Sequence, residues 1–96
     1  MERKLLSEDE VRTGLNGLTG WSFAGGTMKR RFEFESFSSA LHFVNQIGEI
    51  AEAMDHHPDI FFGWGHAEVA TTTHDRGGIT GFDLELARRI NEIGRG

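Results

Sequence analysis

The chain has no cysteine, which removes disulfides and thiolate metal sites and fits a reducing compartment. No stretch approaches the roughly 18 apolar residues of a membrane span. The amino-terminal residues Met1 to Leu6 are charged and run into Glu8-Asp9-Glu10, without the apolar core of a secretory signal. Together these absences predict a soluble, unexported, cytoplasmic protein with no membrane partner. Cations are also in the minority: 10 Lys and Arg stand against 15 Asp and Glu, for a net charge of -5. The one basic cluster, Lys29-Arg30-Arg31, is diluted by Glu33 and Glu35. A nucleic-acid backbone demands clustered cations, so no nucleic-acid partner is expected. No repeat, low-complexity tract or linker interrupts the 96 residues. They predict a single domain over 1–96 with one modest core. Its small-molecule site would then be a surface cleft or a subunit interface.

What is present organises the chain. Ser7 and Glu10 have the form of a capping box, followed by Val11, Leu15 and Leu18 at helical spacing; glycines at 14, 17 and 20 shorten that helix. Trp21 to Ala24, Gly25-Gly26 and Thr27 to Phe34 read as a hairpin, since paired glycines supply the positive backbone angles of a tight turn. Phe32 and Phe34 share one face of it, while Lys29, Arg31 and Glu33 share the other. Ser36 to Met54 is the strongest helix signal, with Phe37, Leu41, Val44, Ile47 and Ala51 as its apolar stripe. Asp59 to Trp64 and Ala67 to Thr73 form a second hairpin around Gly65, and His74 to Gly78 is a loop. Thr80-Gly81-Phe82-Asp83 starts a last helix carrying Phe82, Leu86, Ile90 and Ile93. The order α-β-β-α-β-β-α, with hairpins rather than crossovers, predicts an α+β fold: a four-stranded antiparallel sheet with helices on one face.

Histidine is the side chain whose ordinary pKa, about 6.5, lets it exchange protons near neutrality. Of the five, His42 lies off the helical stripe and His66 beside the Gly65 turn, both ordinary surface positions. His56 and His57 are adjacent at the carboxyl end of the long helix, and Pro58 directs the chain after them. Glu52, four residues before His56, falls on the same helical face and is placed to orient that imidazole. A histidine at a helix carboxyl terminus also simply complements the dipole. His74 opens a glycine-containing loop at a strand end, where helix ends and strand ends meet on one rim. Asp83 reaches that rim from the start of the last helix, where an acid is equally expected for the helix itself.

At these positions the chain resembles a known family. Glu52, three residues, His56-His57-Pro58, five residues, Trp64, nine residues, His74, eight residues, Asp83 is similar to the signature of the pterin-4a-carbinolamine dehydratases. Gly20-Trp21 and the element order extend the resemblance over nearly the whole chain. It implies that His56 and His74 are the principal acid–base groups and His57 an assisting, substrate-binding histidine. It further implies that Pro58, Thr73 and Asp75 line the pterin site, with Glu52 and Asp83 in supporting roles. The implied reaction is dehydration of a 4a-hydroxytetrahydropterin to the quinonoid dihydropterin, supporting tetrahydrobiopterin recycling, without metal or cofactor. A homodimer or homotetramer is implied as well. Two departures stand out: Gly65-His66-Ala67 where the family more often has an amide and a lysine, and Trp64 where tyrosine is common.

Two other readings compete. One is a non-catalytic pterin-binding or interaction protein, for example in molybdenum-cofactor metabolism. The other is a metal-binding protein using Glu52, His56, His57 and His74, although adjacent histidines diverge and seldom share one ion.

Overall fold

The computed structural model describes residues 1–94. The elements run α1 (Glu8–Leu15), β1 (Ser22–Ala24), β2 (Thr27–Glu33), α2 (Phe37–Met54), β3 (Asp59–Gly63), β4 (His66–Thr71), a short 3₁₀ turn (His74–Arg76) and α3 (Gly81–Ile93). The four strands make one sheet in the order β1-β2-β4-β3, and every pairing is antiparallel. This is the α+β arrangement expected, in the expected order.

Each boundary has a local cause. Ser7 and Glu10 close a reciprocal capping box at the start of α1, which satisfies two amide donors that a helix start leaves open. The helix stops at Leu15, so Leu18 is buried from the following turn rather than from the helix itself. Gly14 has a packing reason: a β-carbon there would lie 2.7 Å from the Leu84 side chain of α3. Gly25 and Gly26 take positive φ angles of 59° and 78° between β1 and β2, the conformation a two-residue hairpin turn requires.

The sheet has one apolar face. Met28 and Phe32 on β2 lie beside Thr71, Val69 and Ala67 on β4, all buried, and Ile60 and Phe62 on β3 continue that face. The alternate residues Lys29, Arg31 and Glu33 are exposed, as the period of two dictates. Val11 from α1, Phe43 and Ile47 from α2, and Leu86 and Ile90 from α3 join the same core cluster. Phe43 wedges between Phe32 and Phe34, with ring centroids 4.6 and 5.0 Å away.

The apolar stripe expected on α2 is corrected in its first half. Its buried residues are Ala40, Phe43, Ile47 and Ala51, while Phe37 and Leu41 are 46% and 40% exposed. The helix carries two overlapping apolar tracks that converge at Ile47, and periodicity alone does not choose between them. The sheet selects the track with Ala40, whose small side chain permits close approach. Phe37 instead rests its ring against Phe62 of β3, 5.5 Å away. No helix of the described residues is long and apolar enough to cross a membrane.

Candidate functional site

The site begins at the end of α2. Asp55 takes the left-handed conformation (φ 50°, ψ 44°) and caps the helix. It is the one non-glycine residue with positive φ among the described residues; short polar side chains tolerate that region best. The amide of His56 then donates back to the Ala51 carbonyl at 3.0 Å, which turns the chain inward. His56 is buried and His57 is exposed, as successive residues of a chain leaving a helix in extended form point to opposite sides.

The opposite wall comes from the end of β4 and the loop beyond it. Thr71 and Thr73 alternate onto the inner face and are buried, and Thr73 forms an isolated bridge with Gly78 that folds the 74–77 segment outward. That leaves His74 exposed at the start of the 3₁₀ turn. His56, His57 and His74 meet in one shallow cleft of about 290 Å³, whose walls also include Thr73 and Asp75. That volume stands at the small end of ligand pockets, which run about 300–1,000 Å³. A larger hollow of about 520 Å³ lies at the carboxyl end of α3 beside Arg30 and Asn91, but no histidine lines it. Proton-exchanging groups, rather than size, mark the first cleft as the candidate site.

Behind the cleft lies a closed polar network centred on Asp83, which is fully buried. His56 Nε2 stands 2.6 Å from Asp83 Oδ1. Thr71 Oγ1 donates to the same oxygen at 2.6 Å. Thr73 Oγ1 donates to Oδ2 at 2.7 Å, as does the Thr80 amide at 2.9 Å. A carboxylate offers about four acceptor positions, and all four are taken. Because a carboxylate only accepts, the hydrogen of neutral His56 is assigned to Nε2, which leaves Nδ1 as the nitrogen that Asp83 does not engage. Phe82 stacks against the same imidazole at 5.8 Å. Asp83 therefore does two jobs: it closes the capping box of α3 with Thr80 and it fixes His56.

Glu52 is placed differently from the sequence expectation. It pairs with His57 Nε2, not with His56. The expectation extrapolated helical spacing past Asp55, whose left-handed turn ends the helix before His56 and carries that ring to the far side. Pro58 is half-buried and follows the pair without lining the hollow. Among the described residues, no three His, Asp or Glu side chains come together in a way that would hold a metal ion; the two adjacent imidazoles are held by separate carboxylates. His42 is exposed on α2, and His66 stacks on Phe61 at 5.8 Å; neither lines the cleft.

Sequence reasoning missed two contributors. Thr71 is a β-branched residue like its strand neighbours, and its inward hydroxyl becomes visible only once the register places it over Asp83. Arg3 lines the cleft from the amino-terminal segment, and no spacing rule connects it to His74.

The pterin 4 alpha carbinolamine dehydratase family model matches residues 4–93. A protein of Sulfurisphaera tokodaii named "Putative pterin-4-alpha-carbinolamine dehydratase" is 43% identical over 90 residues, covering 94% of this chain and 97% of its own length. Among solved structures, a transcriptional coactivator/pterin dehydratase from Brucella melitensis superposes with a TM-score of 0.91 at 34% identity, covering 95% of this chain and 99% of its own. A pterin dehydratase-like protein described as a RuBisCO assembly factor in the alpha-carboxysome matches with a TM-score of 0.65 at 17% identity, covering 77% of this chain and 86% of its own. This last likeness concerns the fold alone.

Proposed function

The chain belongs to the pterin 4 alpha carbinolamine dehydratase family, and on that premise we propose that it dehydrates a 4a-hydroxytetrahydropterin in the histidine cleft. The observation that carries this reading is the gathering of His56, His57 and His74 around one hollow, with His56 anchored on a buried carboxylate. In the reaction the 4a-hydroxyl oxygen takes a proton and the C4a–O bond breaks, releasing water. The N5 lone pair forms the C4a–N5 double bond, and N5 then gives up its hydrogen to a base. The product is the quinonoid dihydropterin. Both proton transfers suit imidazoles, and each is worth about 10² to 10⁴ in rate. His56 and His74 serve as the principal acid–base groups, and His57 assists while holding substrate. Asp83 keeps His56 in one tautomer and one orientation, and Glu52 orients His57. Thr73 and Asp75 bind the flat heterocycle, and Pro58 sets the backbone direction behind it. The chemistry calls for no metal, redox cofactor or covalent intermediate.

The same reading places the protein in the cytoplasm, in tetrahydropterin recycling, as a homo-oligomer. β3 is an edge strand, and Phe61 and Trp64 beside its open edge are each 71% exposed. Unprotected apolar edges favour pairing with a second copy. Light scattering that returns the mass of one chain would remove this part of the reading.

The central test is turnover of freshly generated carbinolamine against its spontaneous dehydration. The wild-type protein should exceed the spontaneous rate. His74→Ala should lose about 10²-fold or more with an unchanged melting temperature, because that ring is exposed. His56→Ala should lose as much turnover and stability besides, because it takes a donor from Asp83. A wild-type rate equal to the spontaneous one would leave a pterin-binding or interaction role in place of catalysis.

A further inference from the structure

Residues 1–6 form no helix or strand, yet they are tied to the loop that carries His74. The Leu6 amide donates to the Ile79 carbonyl at 2.8 Å, and Arg76 Nε donates to the Arg3 carbonyl at 2.8 Å. These two bonds bring the Arg3 side chain over the mouth of the cleft, where its guanidinium pairs with the Asp75 carboxylate. The two side chains are 42% and 64% exposed. An ion pair so wet is held weakly and is readily exchanged.

Asp75 is also one of the residues assigned above to pterin binding, so the arginine stands where part of the substrate belongs. The pyrimidinone ring of a pterin contains N1, C2 with its amino group, and N3–H. That edge is itself a cyclic guanidine with two parallel N–H donors. Arg3 meets this carboxylate through one nitrogen, Nη2, on Oδ1, and the two carboxylate oxygens together have the acceptor positions to take both donors of the pterin edge.

We infer that Arg3 is a displaceable clasp, its guanidinium occupying on Asp75 the seat that the 2-amino/N3–H edge of the pterin takes on binding. The inference rests on the pterin reading of the cleft and adds to it a residue that sets affinity and selectivity. Substrate must trade places with Arg3. A pteridine without the guanidine-like edge cannot replace the contact that the arginine surrenders, so the clasp discriminates against it.

Calorimetric titration with biopterin, an oxidised and unreactive pterin, tests this directly, with lumazine (a 2,4-dioxopteridine lacking the amino group) as control. Arg3→Ala should bind biopterin about 2- to 5-fold tighter, the span expected when one exposed ion pair no longer competes. Arg3→Lys, which keeps the charge but not the planar guanidinium, should fall between that variant and the wild type. Added salt should tighten wild-type binding of this neutral ligand by screening the clasp, and should leave Arg3→Ala unmoved. Asp75→Asn should weaken biopterin binding and should cancel the gain from Arg3→Ala when the two are combined. If the wild type binds biopterin and Arg3→Ala binds it equally or more weakly, the clasp is wrong while the pterin site stands. If the wild type binds neither biopterin nor the carbinolamine, the pterin reading itself is wrong and the clasp falls with it.

Discussion

Two imidazole–carboxylate pairs stand next to each other in this molecule, drawn from consecutive histidines, and their surroundings differ completely. The side chains of His56 and Asp83 are 8% and 0% exposed, and three further donors close around the carboxylate. Those of His57 and Glu52 are 54% and 78% exposed, and they pair directly on the open surface. In the buried pair every acceptor position of the carboxylate is committed, so the ring has one orientation and one assigned tautomer. In the exposed pair water competes for each group and salt screens the attraction. The contrast separates a fixed imidazole from an adaptable one. It also locates the stability cost: removing one member of a buried network strands the others, whereas removing one member of a wet pair returns the other to water.

The comparison can be broken by mutation. Asp83→Ala should destabilise by about 3–5 kcal/mol, because a buried histidine, two hydroxyls and an amide lose their acceptor together. Against a domain stability of about 5–15 kcal/mol, that is a large fraction, and chemical denaturation reads it. Glu52→Ala should cost less than about 1 kcal/mol, most of it absent in high salt. Similar losses in the two variants would show that burial does not distinguish the pairs.

Glu85 sharpens the exposed side of the contrast with the smallest effect. It is a partly exposed carboxylate on α3 that bonds Arg88 at 2.7 Å and Arg89 at 2.7 Å. Those hydrogen bonds hold its carboxyl down from the ordinary 4.5 to about 2. A lowered folded-state value means that the stabilisation is present above the unfolded value and is lost as pH falls through the folded one. The stability gap between wild type and Glu85→Gln should therefore stay level from neutrality to about pH 5 and close between about pH 4.5 and 2. Discounted for solvent screening, its size should be no more than about 1 kcal/mol. A gap that persists at pH 2 would assign the effect to packing rather than charge.

Much of this was legible in the residues, and the exceptions share a cause. Ser7 and Glu10 announced one helix start, and Thr80 with Asp83 another, because capping chemistry is local. Gly25-Gly26 announced a hairpin because only glycine takes those angles freely. The three site histidines were marked by placement at element ends, and the structure brings them to one hollow. The pairing of Glu52 was misread because spacing rules hold only while the helix continues, and Asp55 ends it. The phase of α2 was misread because Phe37 and Leu41 imitate a core track but stay exposed at the rim of the sheet. Thr71 and Arg3 carried no local signal at all.

By itself, then, the order of residues determined which elements form, where they stop and which side chains are able to exchange protons, since each of those depends on neighbours a few positions apart. Tertiary structure decided which carboxylate holds which imidazole, which threonines complete the buried network and which arginine lies over the cleft. Those partners are separated by 27 residues for His56 and Asp83 and by 72 for Arg3 and Asp75. The packing of α2 against α3 brings the first pair within hydrogen-bonding reach, and the bonds from Leu6 to Ile79 and from Arg76 to Arg3 bring the second.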